Sequence, residues 1–341
     1  MTASASDRLF GYSHAFDHPV TIWVTGGSIA VLAIAPLVIA LLSRSGRVAP
    51  DRLARWWLRW RTWLFLTPLI LGPILLGAAW TILGVGLLSL FCYREYSRAT
   101  GLFREKAISL TVVMGIIFVT FAAFDNWYRL FVALTPLTIS FILTVAIFAD
   151  RPQGYIQRTA LAVLGFVLLG SGLGHLGYLA NDANYRPLVL LVLVANEMND
   201  VFAYLAGTSF GQRAICPATH PRKTVAGAVG GLLLTTLFVV LLGRLVFQDS
   251  PLASPLHLVT LGIIISVVGQ LGDLMFWSIK RDLHIEDFDS TIPGHGGLLD
   301  RFDSLVPIAS AVFHYVNYFV GIGTDQPARI WTTFDTARGM M

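Results

Sequence analysis

Charged residues are scarce in this chain. Asp, Glu, Lys and Arg make up 13% of its 341 residues, whereas soluble globular domains carry about 25%. Hydrophobic residues make up 55%, and the mean hydropathy is +0.68. This balance excludes a soluble globular domain and a disordered chain. It predicts an all-α, polytopic integral membrane protein, because helices satisfy their own backbone hydrogen bonds inside a bilayer.

Cysteine is nearly absent as well. Cys92 and Cys216 are the only two, which excludes a disulfide framework and a cysteine-rich zinc site. No run of Lys and Arg resembles an arm that binds nucleic acid, so no nucleic-acid partner is expected. The basic pI of 9.2 instead favours contact with anionic lipid headgroups.

Long stretches without Asp, Glu, Lys or Arg predict about ten membrane-spanning helices. The stretch 62–93 is too long for one span, and Pro73 with the neighbouring glycines predicts a hairpin of two short helices there. The other expected spans are 20–43, 107–124, 130–149, 159–181, 187–206, 224–243, 250–272 and 304–324.

The distribution of positive charge sets the expected orientation. With ten spans, the loops 44–61, 93–106, 149–158, 207–223 and 280–303 lie on one side and carry 18 of the 24 Lys and Arg residues. Positively charged loops usually face the cytoplasm. We therefore expect a multi-pass protein of the cell inner (cytoplasmic) membrane, with these loops on the cytoplasmic face.

The segment 51–63 carries arginines and tryptophans on separate stripes of one predicted helix. This pattern favours an anchor at the cytoplasmic membrane interface, and a gate for a lipid substrate is the alternative. The arginines are Arg52, Arg55 and Arg59, and the tryptophans are Trp56, Trp60 and Trp63.

Three carboxylates fall within the predicted spans. Glu197 and Asp200 share a face of one helix because they are three residues apart, and Asp273 lies near the cytoplasmic end of its helix. Ionisable residues inside a membrane are costly and usually functional. A buried hydrogen bond between helices is the alternative for each.

Two cytoplasmic loops next to these helices carry groups suited to phosphate. Arg222 and Lys223 precede a helix, where cations are unfavourable unless an anion binds there; ordinary placement of positive charge on the cytoplasmic side explains them equally well. In the loop 280–303, backbone N–H groups of closely spaced glycines can approach a phosphate, and His295 can donate to it. Oxygen ligands from Asp273 and Asp300 would suit a hard divalent cation. The glycines are Gly294, Gly296 and Gly297, and the basic residues of the loop are Lys280, Arg281 and Arg301.

Three segments together resemble a known family. They are Asn199-Asp200 with Ala203-Tyr204 and 207–211; Pro221 with Lys223-Thr224 and Gly227; and Lys280-Arg281 with Asp287, 293–297 and 300–303. This pattern resembles the signature of phosphatidate cytidylyltransferases, also called CDP-diacylglycerol synthases. The resemblance is specific over about 190–305, with Glu95 the only motif residue before it. The N-terminal pattern is similar to a divergent bacterial branch.

The resemblance implies an enzyme that joins CTP to phosphatidic acid, or a related anionic lipid phosphate, giving CDP-diacylglycerol and pyrophosphate. It implies Mg²⁺ held by Asp273 and Asp300, leaves a second cation open, and gives catalytic roles to these two residues with Lys223 and His295. The expected regions are membrane helices over 1–185, a catalytic membrane region over 186–324 and a polar tail over 325–341. A homodimer stays open. The implied substrate contacts are Asn199, Asp200, Arg222, Lys280, Arg281, Asp287, Gly296, Gly297, Arg301 and Asp303.

The chain departs from the family pattern at several positions near these residues. Two family serines are His220 and Trp277 here, a family lysine is Glu286, a small residue is Asp289, and a Trp-Glu pair is Val225-Ala226. These changes leave open a family member that binds lipid or nucleotide without turnover. A transporter is a further alternative, because carboxylates within spans and glycine-broken helices also occur there.

Overall fold

The computed structural model describes residues 9–46, 48–322 and 330–332, and these form an all-α protein with one small β-hairpin. The strands β1 (Ala214–Cys216) and β2 (His220–Thr224) pair antiparallel. The helices are α1 (Pro19–Arg44), α2 (Pro50–Leu76), α3 (Ala78–Ala99), α4 (Lys106–Phe124), α5 (Tyr128–Ile147), α6 (Tyr155–Leu179, with a wide π-type turn at Phe166–Gly172), α7 (Tyr185–Phe210), α8 (Val225–Val246), α9 (Pro255–Asp282), α10 (Leu299–Phe302) and α11 (Leu305–Val320).

Seven of the described helices are long and apolar enough to cross a membrane, namely α1 and α4 to α9. They establish the predicted membrane character of the chain. The helices α2, α3 and α11 do not meet the same standard; α11 has 16 residues, fewer than the roughly 20 that a span requires. The total of ten spans therefore remains a prediction.

The stretch 62–93 is divided between two helices, as expected, with the break among the glycines next to Pro73, but the helices are not short and both extend beyond the stretch. Pro73 lies inside the last turns of α2, and the chain breaks at Gly77, whose φ is +145°. A Cβ at Gly77 would lie 2.2 Å from the backbone oxygen of Leu9, so only glycine allows this approach. In addition, α2 starts at Pro50, which makes the Arg/Trp segment 51–63 its first half.

Small residues bring α7, α8, α9 and α11 close together. A Cβ at Gly231 of α8 would lie 3.1 Å from Cβ of Ala203 on α7, and one at Gly272 of α9 would lie 2.5 Å from Cγ of Pro307 on α11. Small residues at helix contacts permit this close approach in membranes. The packing gathers the β-hairpin and the loop between α9 and α10 at one end of the helix bundle.

The predicted polar tail 325–341 lies outside the described residues, apart from 330–332. Within these three, the Trp331 ring stacks on Phe124 with centroids 5.0 Å apart, and its backbone N–H donates to Asp125 Oδ1 at 2.6 Å. This short stretch therefore packs against the loop between α4 and α5.

Candidate active site

Two lysine–aspartate pairs each have one member on the same face of α9. Asp273 and Lys280 are seven residues apart, which is two helical turns. Asp273 pairs with Lys223 of β2, and Lys280 pairs with Asp300 of α10. The helix thus joins the two loops that the sequence marked as phosphate-binding candidates.

The first pair lies where β2 meets α8 and α9. Lys223 Nζ is 2.7 Å from Asp273 Oδ2 and donates to the backbone oxygen of Gln270 at 2.8 Å. Thr224 follows directly and caps α8, its Oγ1 accepting from Gly227 N–H. The side chains of Lys223 and Asp273 are 11% and 22% exposed, so a substrate can reach this pair.

The second pair joins the end of α9 to α10 and is buried beneath the loop between these helices. Lys280 Nζ is 2.9 Å from Asp300 Oδ1, and the two side chains are only 4% and 5% exposed. The other oxygen, Oδ2, accepts the backbone N–H groups of Phe288 and Gly297 at 2.9 and 3.0 Å. Asp300 therefore holds both halves of its own loop.

Two glycines of this loop lie so close to carboxylates that no larger residue would fit at either position. Gly296 has φ +81°, and a Cβ there would lie 2.8 Å from Cγ of Asp287. A Cβ at Gly297 would lie 2.6 Å from Oε2 of Glu95. Because the Gly297 N–H donates to Asp300, the structure uses this amide to close the loop rather than presenting it to a phosphate.

Glu95 is the site residue to which sequence reasoning gave no role. It is 1% exposed, and its two oxygens accept the backbone N–H groups of Leu298 and Leu299 at 2.9 and 2.8 Å. An acidic side chain at these free N–H groups is favourable. A carboxylate among the apolar residues of α3 was the available signal, but its partners lie more than 200 positions away.

The first half of α2 packs against the glycine loop. Thr62 Oγ1 donates to the backbone oxygen of Pro293 at 2.8 Å, and the ring of Trp63 lies edge-on to His295 with centroids 6.2 Å apart. The Arg301 guanidinium lies 5.4 Å from the Trp63 ring centroid and 3.3 Å from Glu197 Oε2. Burial, together with the positive charge of Arg301, lowers the pKa of His295. The Arg/Trp segment thus contacts the candidate site directly.

The two neighbouring candidates on α7 have different surroundings. Asn199 is completely buried, and its Oδ1 accepts from Ser266 Oγ at 2.6 Å and Thr235 Oγ1 at 3.2 Å. Asn199, expected as a substrate contact, thus makes buried hydrogen bonds to two other helices. Asp200, the next residue, is exposed.

Carboxylates lie near one another around Asp273. Asp303 is buried between α10 and α11, and its Oδ1 accepts from Ser304 N–H at 2.6 Å. Burial, reinforced by the charges of Asp273 and Asp200, raises the pKa of Asp303 to about 8. Such crowding of negative charge is relieved when a cation binds.

The described residues do not form a complete cage for a metal ion. No group of three or more His, Cys, Asp or Glu side chains in that part of the chain is close enough to hold one. Mg²⁺ commonly takes only one or two protein carboxylates and completes its shell with water and substrate phosphates. The donor set around Asp273 fits that mode of binding.

Two departures from the family pattern contact each other. The rings of His220 and Trp277 meet edge-on with centroids 4.5 Å apart. The Trp277 ring also lies 4.3 Å from Lys280 Nζ and 5.2 Å from the guanidinium carbon of Arg281. Burial lowers the pKa of His220, which keeps its ring neutral at pH 7. The pair therefore forms an aromatic wall beside the basic residues.

The remaining predicted contacts lie at the rim of this wall or at its surface. Arg281 Nε donates to the backbone oxygen of Thr219 at 3.2 Å, which ties α9 to the β-hairpin. Arg222 is exposed on β2, and Asp287 is exposed beside Gly296. Burial, followed by the charge of Asp300, raises the pKa of Asp287.

Comparison with known proteins covers most of the chain. The model of the cytidylyltransferase family matches residues 57–319. The uncharacterized protein YnbB of Escherichia coli K12 is 29% identical over 268 residues, which are 76% of this chain and 87% of that protein. A phosphatidate cytidylyltransferase of Rickettsia typhi is 25% identical over 224 residues, 63% of this chain and 94% of that protein. One of Staphylococcus haemolyticus is 29% identical over 246 residues, 70% of this chain and 90% of that protein.

Proposed function

Because this chain belongs to the cytidylyltransferase family, we propose that it transfers the cytidylyl group of CTP to phosphatidic acid or a related lipid phosphate. The products are CDP-diacylglycerol, or its analogue, and pyrophosphate, which places the enzyme in phospholipid biosynthesis. Two of the three relatives named above are phosphatidate cytidylyltransferases, and the residues matched by the family model include both lysine–aspartate pairs.

The partly exposed pair of Lys223 and Asp273 is the observation that carries the proposal. An oxygen of the lipid phosphate attacks the α-phosphorus of CTP, a new P–O bond forms, and the bond to the bridging oxygen breaks with its electron pair leaving on pyrophosphate. Both substrates are polyanions, so fixed cations must shield their charge before the oxygens approach. Lys223 lies where it can contact these phosphates, and Lys280 and Arg281 lie about two turns further along α9 than its partner Asp273.

Asp273 is the better placed of the two predicted magnesium ligands. Its Oδ1 does not accept from Lys223, whereas one oxygen of Asp300 accepts from Lys280 and the other from backbone N–H groups of the loop. The charges of Asp200 and Asp273 both act on Asp303, so a cation held by Asp273 would bind in a region of negative charge. When bound, Mg²⁺ would neutralise charge on the CTP phosphates and on the departing pyrophosphate.

We also propose that the site faces the cytoplasm. With ten spans, α2, α3 and α11 counted among them, the β-hairpin and the glycine loop would lie on the side that carries 18 of the 24 Lys and Arg residues. Loops rich in Lys and Arg usually face the cytoplasm. CTP reaches the site from the aqueous side, and the lipid reaches it from the bilayer. The relatives named above are bacterial, which supports the cytoplasmic membrane as its location.

A second candidate is a member of the family that binds but does not turn over. The contact of His220 with Trp277 favours it, because the two rings fill space next to Lys280 and Arg281. A nucleotide that needs this space would bind without reaching its reactive geometry.

The test is pyrophosphate release by the purified protein in detergent with CTP, phosphatidic acid and Mg²⁺. We expect release that Asp273→Asn abolishes and that Asp282→Asn leaves intact, since Asp282 is an exposed aspartate at the end of the same helix. Release unaffected by Asp273→Asn would contradict the assignment. If the wild-type protein releases none, equilibrium binding of labelled CTP separates the binding-only candidate from an unrelated function.

A further inference from the structure

A cavity of about 710 Å³ opens between α1, α2, α7 and α8. Its walls are almost entirely apolar. Arg59, Glu197 and Phe302 lie at the end next to the glycine loop, and Trp23, Leu71 and Leu190 lie at the opposite end. The volume is within the range of about 300–1,000 Å³ typical of ligand sites.

A hydrogen bond from Trp60 to the backbone of α1, made possible by Pro36, fixes α1 against α2 at this cavity. Pro36 lies inside α1 and has no N–H, so the backbone oxygen of Leu32, four residues earlier, loses its helical donor. Trp60 Nε1 of α2 donates to that oxygen at 2.8 Å. Otherwise α1 is lightly packed, with four of its 26 residues buried.

The wall formed by α1 lies outside the residues that the family model matches. The family match begins at residue 57, whereas α1 ends at Arg44. Residues of α1 that line the cavity follow helical spacing, including Val24, Ser28, Leu32 and Ile39. A chain limited to the matched region would leave this side of the cavity open to the bilayer.

The depth and charge of the cavity indicate its occupant. Arg59 and Leu71 are 12 positions apart on α2, which is about 18 Å at 1.5 Å per residue. One leaflet contributes about half of a hydrocarbon core of roughly 30 Å. The guanidinium groups of Arg59 and Arg301 lie at the end beside the candidate site, where an anionic headgroup would sit.

We propose that this cavity holds an acyl chain of the lipid phosphate substrate and that α1 sets the chain length the enzyme accepts. The proposal rests on the proposed function, because the headgroup must lie at the loop that holds Asp300 and Arg301. It goes beyond that function by giving α1 a role in selecting among lipids.

Two adjacent glycines of α1 provide a matched test. Gly27 lines the cavity and Gly26 does not, and a Cβ at either would meet no atom within 4 Å. Leu32 of α1 lies beside Trp60 of α2. Gly27 is five residues from Leu32, which places it about 8 Å further from the end of the cavity that carries Arg59. Leucine at Gly27 should therefore obstruct the far end of a long chain and leave a short chain untouched.

The experiment compares the wild-type protein, Gly27→Leu and Gly26→Leu in kcat/KM for dipalmitoyl and dihexanoyl phosphatidic acid. We expect Gly27→Leu to lower the value for the dipalmitoyl lipid about tenfold, roughly the effect of excluding two methylene groups, and to leave the dihexanoyl value unchanged. Gly26→Leu should match the wild-type protein for both lipids. Equal losses for both lipids, equal losses in both variants, or no loss would overturn the proposal.

Binding of the same two lipids, measured by native mass spectrometry, separates this proposal from the proposed function. If the wild-type protein shows no turnover but Gly27→Leu selectively loses the dipalmitoyl lipid, the function fails and the cavity assignment holds. If turnover is present and binding is the same in all three proteins, the cavity assignment fails alone. Ala35→Leu, nearer the charged end, is the second variant, and it should weaken both lipids.

Discussion

The two lysine–aspartate pairs use the same residue types but differ in their surroundings. Lys223 and Asp273 are partly exposed at the junction of β2 and α9, and one oxygen of Asp273 stays free of its lysine. Lys280 and Asp300 are almost fully buried, and Asp300 accepts hydrogen bonds from Lys280 of α9 and from two backbone N–H groups of its own loop. The first pair is thus open to substrate and the second is engaged in holding the loop closed.

This difference separates catalytic contact from positioning. A buried ion pair gives little net stability, yet removal of one partner leaves an uncompensated charge. A partly exposed pair can exchange its internal contact for contacts to phosphate or metal. We therefore expect substitutions at the buried pair to affect folding and turnover together, and substitutions at the open pair to affect substrate affinity first.

The largest combined effect on stability and turnover is expected from Asp300→Asn. The change leaves Lys280 buried without its counter-charge, which destabilises the fold by about 3–5 kcal/mol, and displacement of the loop should lower kcat about hundredfold. Thermal unfolding in detergent and pyrophosphate release measure the two effects. The double variant Lys280→Met with Asp300→Asn removes both charges and should recover much of the stability. Full activity with unchanged stability in Asp300→Asn would show that the pair is not needed to close the loop.

Lys223→Ala should have a smaller effect on stability and a large one on nucleotide affinity. Loss of one charge-assisted hydrogen bond to a phosphate corresponds to about 1.5–3 kcal/mol, or a ten- to hundredfold rise in KM for CTP. Lys223→Arg keeps the charge and should retain most of the affinity. An unchanged KM in the alanine variant, measured by steady-state kinetics over a CTP series, would remove Lys223 from the phosphate site.

His220 and Trp277 border the open pair and should be energetically coupled. Edge-on aromatic pairs contribute about 0.5–1.5 kcal/mol beyond their burial. A double-mutant cycle of thermal stability with His220→Ser and Trp277→Ser should therefore give a coupling energy in that range. The double variant should also raise kcat/KM for CTP, because it reopens space beside Lys280 and Arg281. Additive stabilities would show that the ring contact contributes nothing.

Sequence patterns predicted the spans best where apolar residues run without interruption. The span expected over 107–124 is α4 at Lys106–Phe124, and the one expected over 20–43 is α1 at Pro19–Arg44. The hairpin β1–β2 was not expected, since its strands have three and five residues and no apolar alternation. The start of α2 at Pro50 was also missed, because charged and aromatic residues together are typical of a separate interfacial segment.

The candidate site was predictable in its residue types but not in its division of roles. The spacing of Asp273, Lys280 and Asp300 marks a site for phosphate and metal, yet no local pattern shows which carboxylate is buried. That depends on contacts distant in sequence, such as Glu95 with Leu298 and Leu299. Asn199 illustrates the same limit: its partners Thr235 and Ser266 lie on two other helices, and only packing brings them together.

The smallest effect is expected at Glu286, the exposed residue that replaces a family lysine beside the closed loop. Burial and the charge of Asp300 raise the pKa of Asp287, the charge of Glu286 raises it further, and Lys280 lowers it. Glu286→Gln removes one source of the increase, and Glu286→Lys replaces it with an opposing charge. The pKa of Asp287 should fall in that order, so its carboxylate stays ionised to lower pH and the acidic limb of the pH–rate profile shifts to lower pH.

At neutral pH, Glu286→Lys should raise kcat/KM for CTP, because it replaces a negative charge near the polyanionic nucleotide with a positive one. The expected rise is only about two- to fivefold, since solvent screens charges at exposed positions. Glu286→Gln should fall between the wild-type protein and the lysine variant. The rise in kcat/KM in Glu286→Lys can be compared with the rise in KM in Lys223→Ala. A much larger effect of Lys223→Ala would mean that the pair of Lys223 and Asp273, and not the surface of the loop, makes the main contact with the nucleotide. If Glu286→Lys instead lowers activity while Glu286→Gln leaves it unchanged, the added positive charge is itself harmful, and the loop has adapted to an acidic residue at this position.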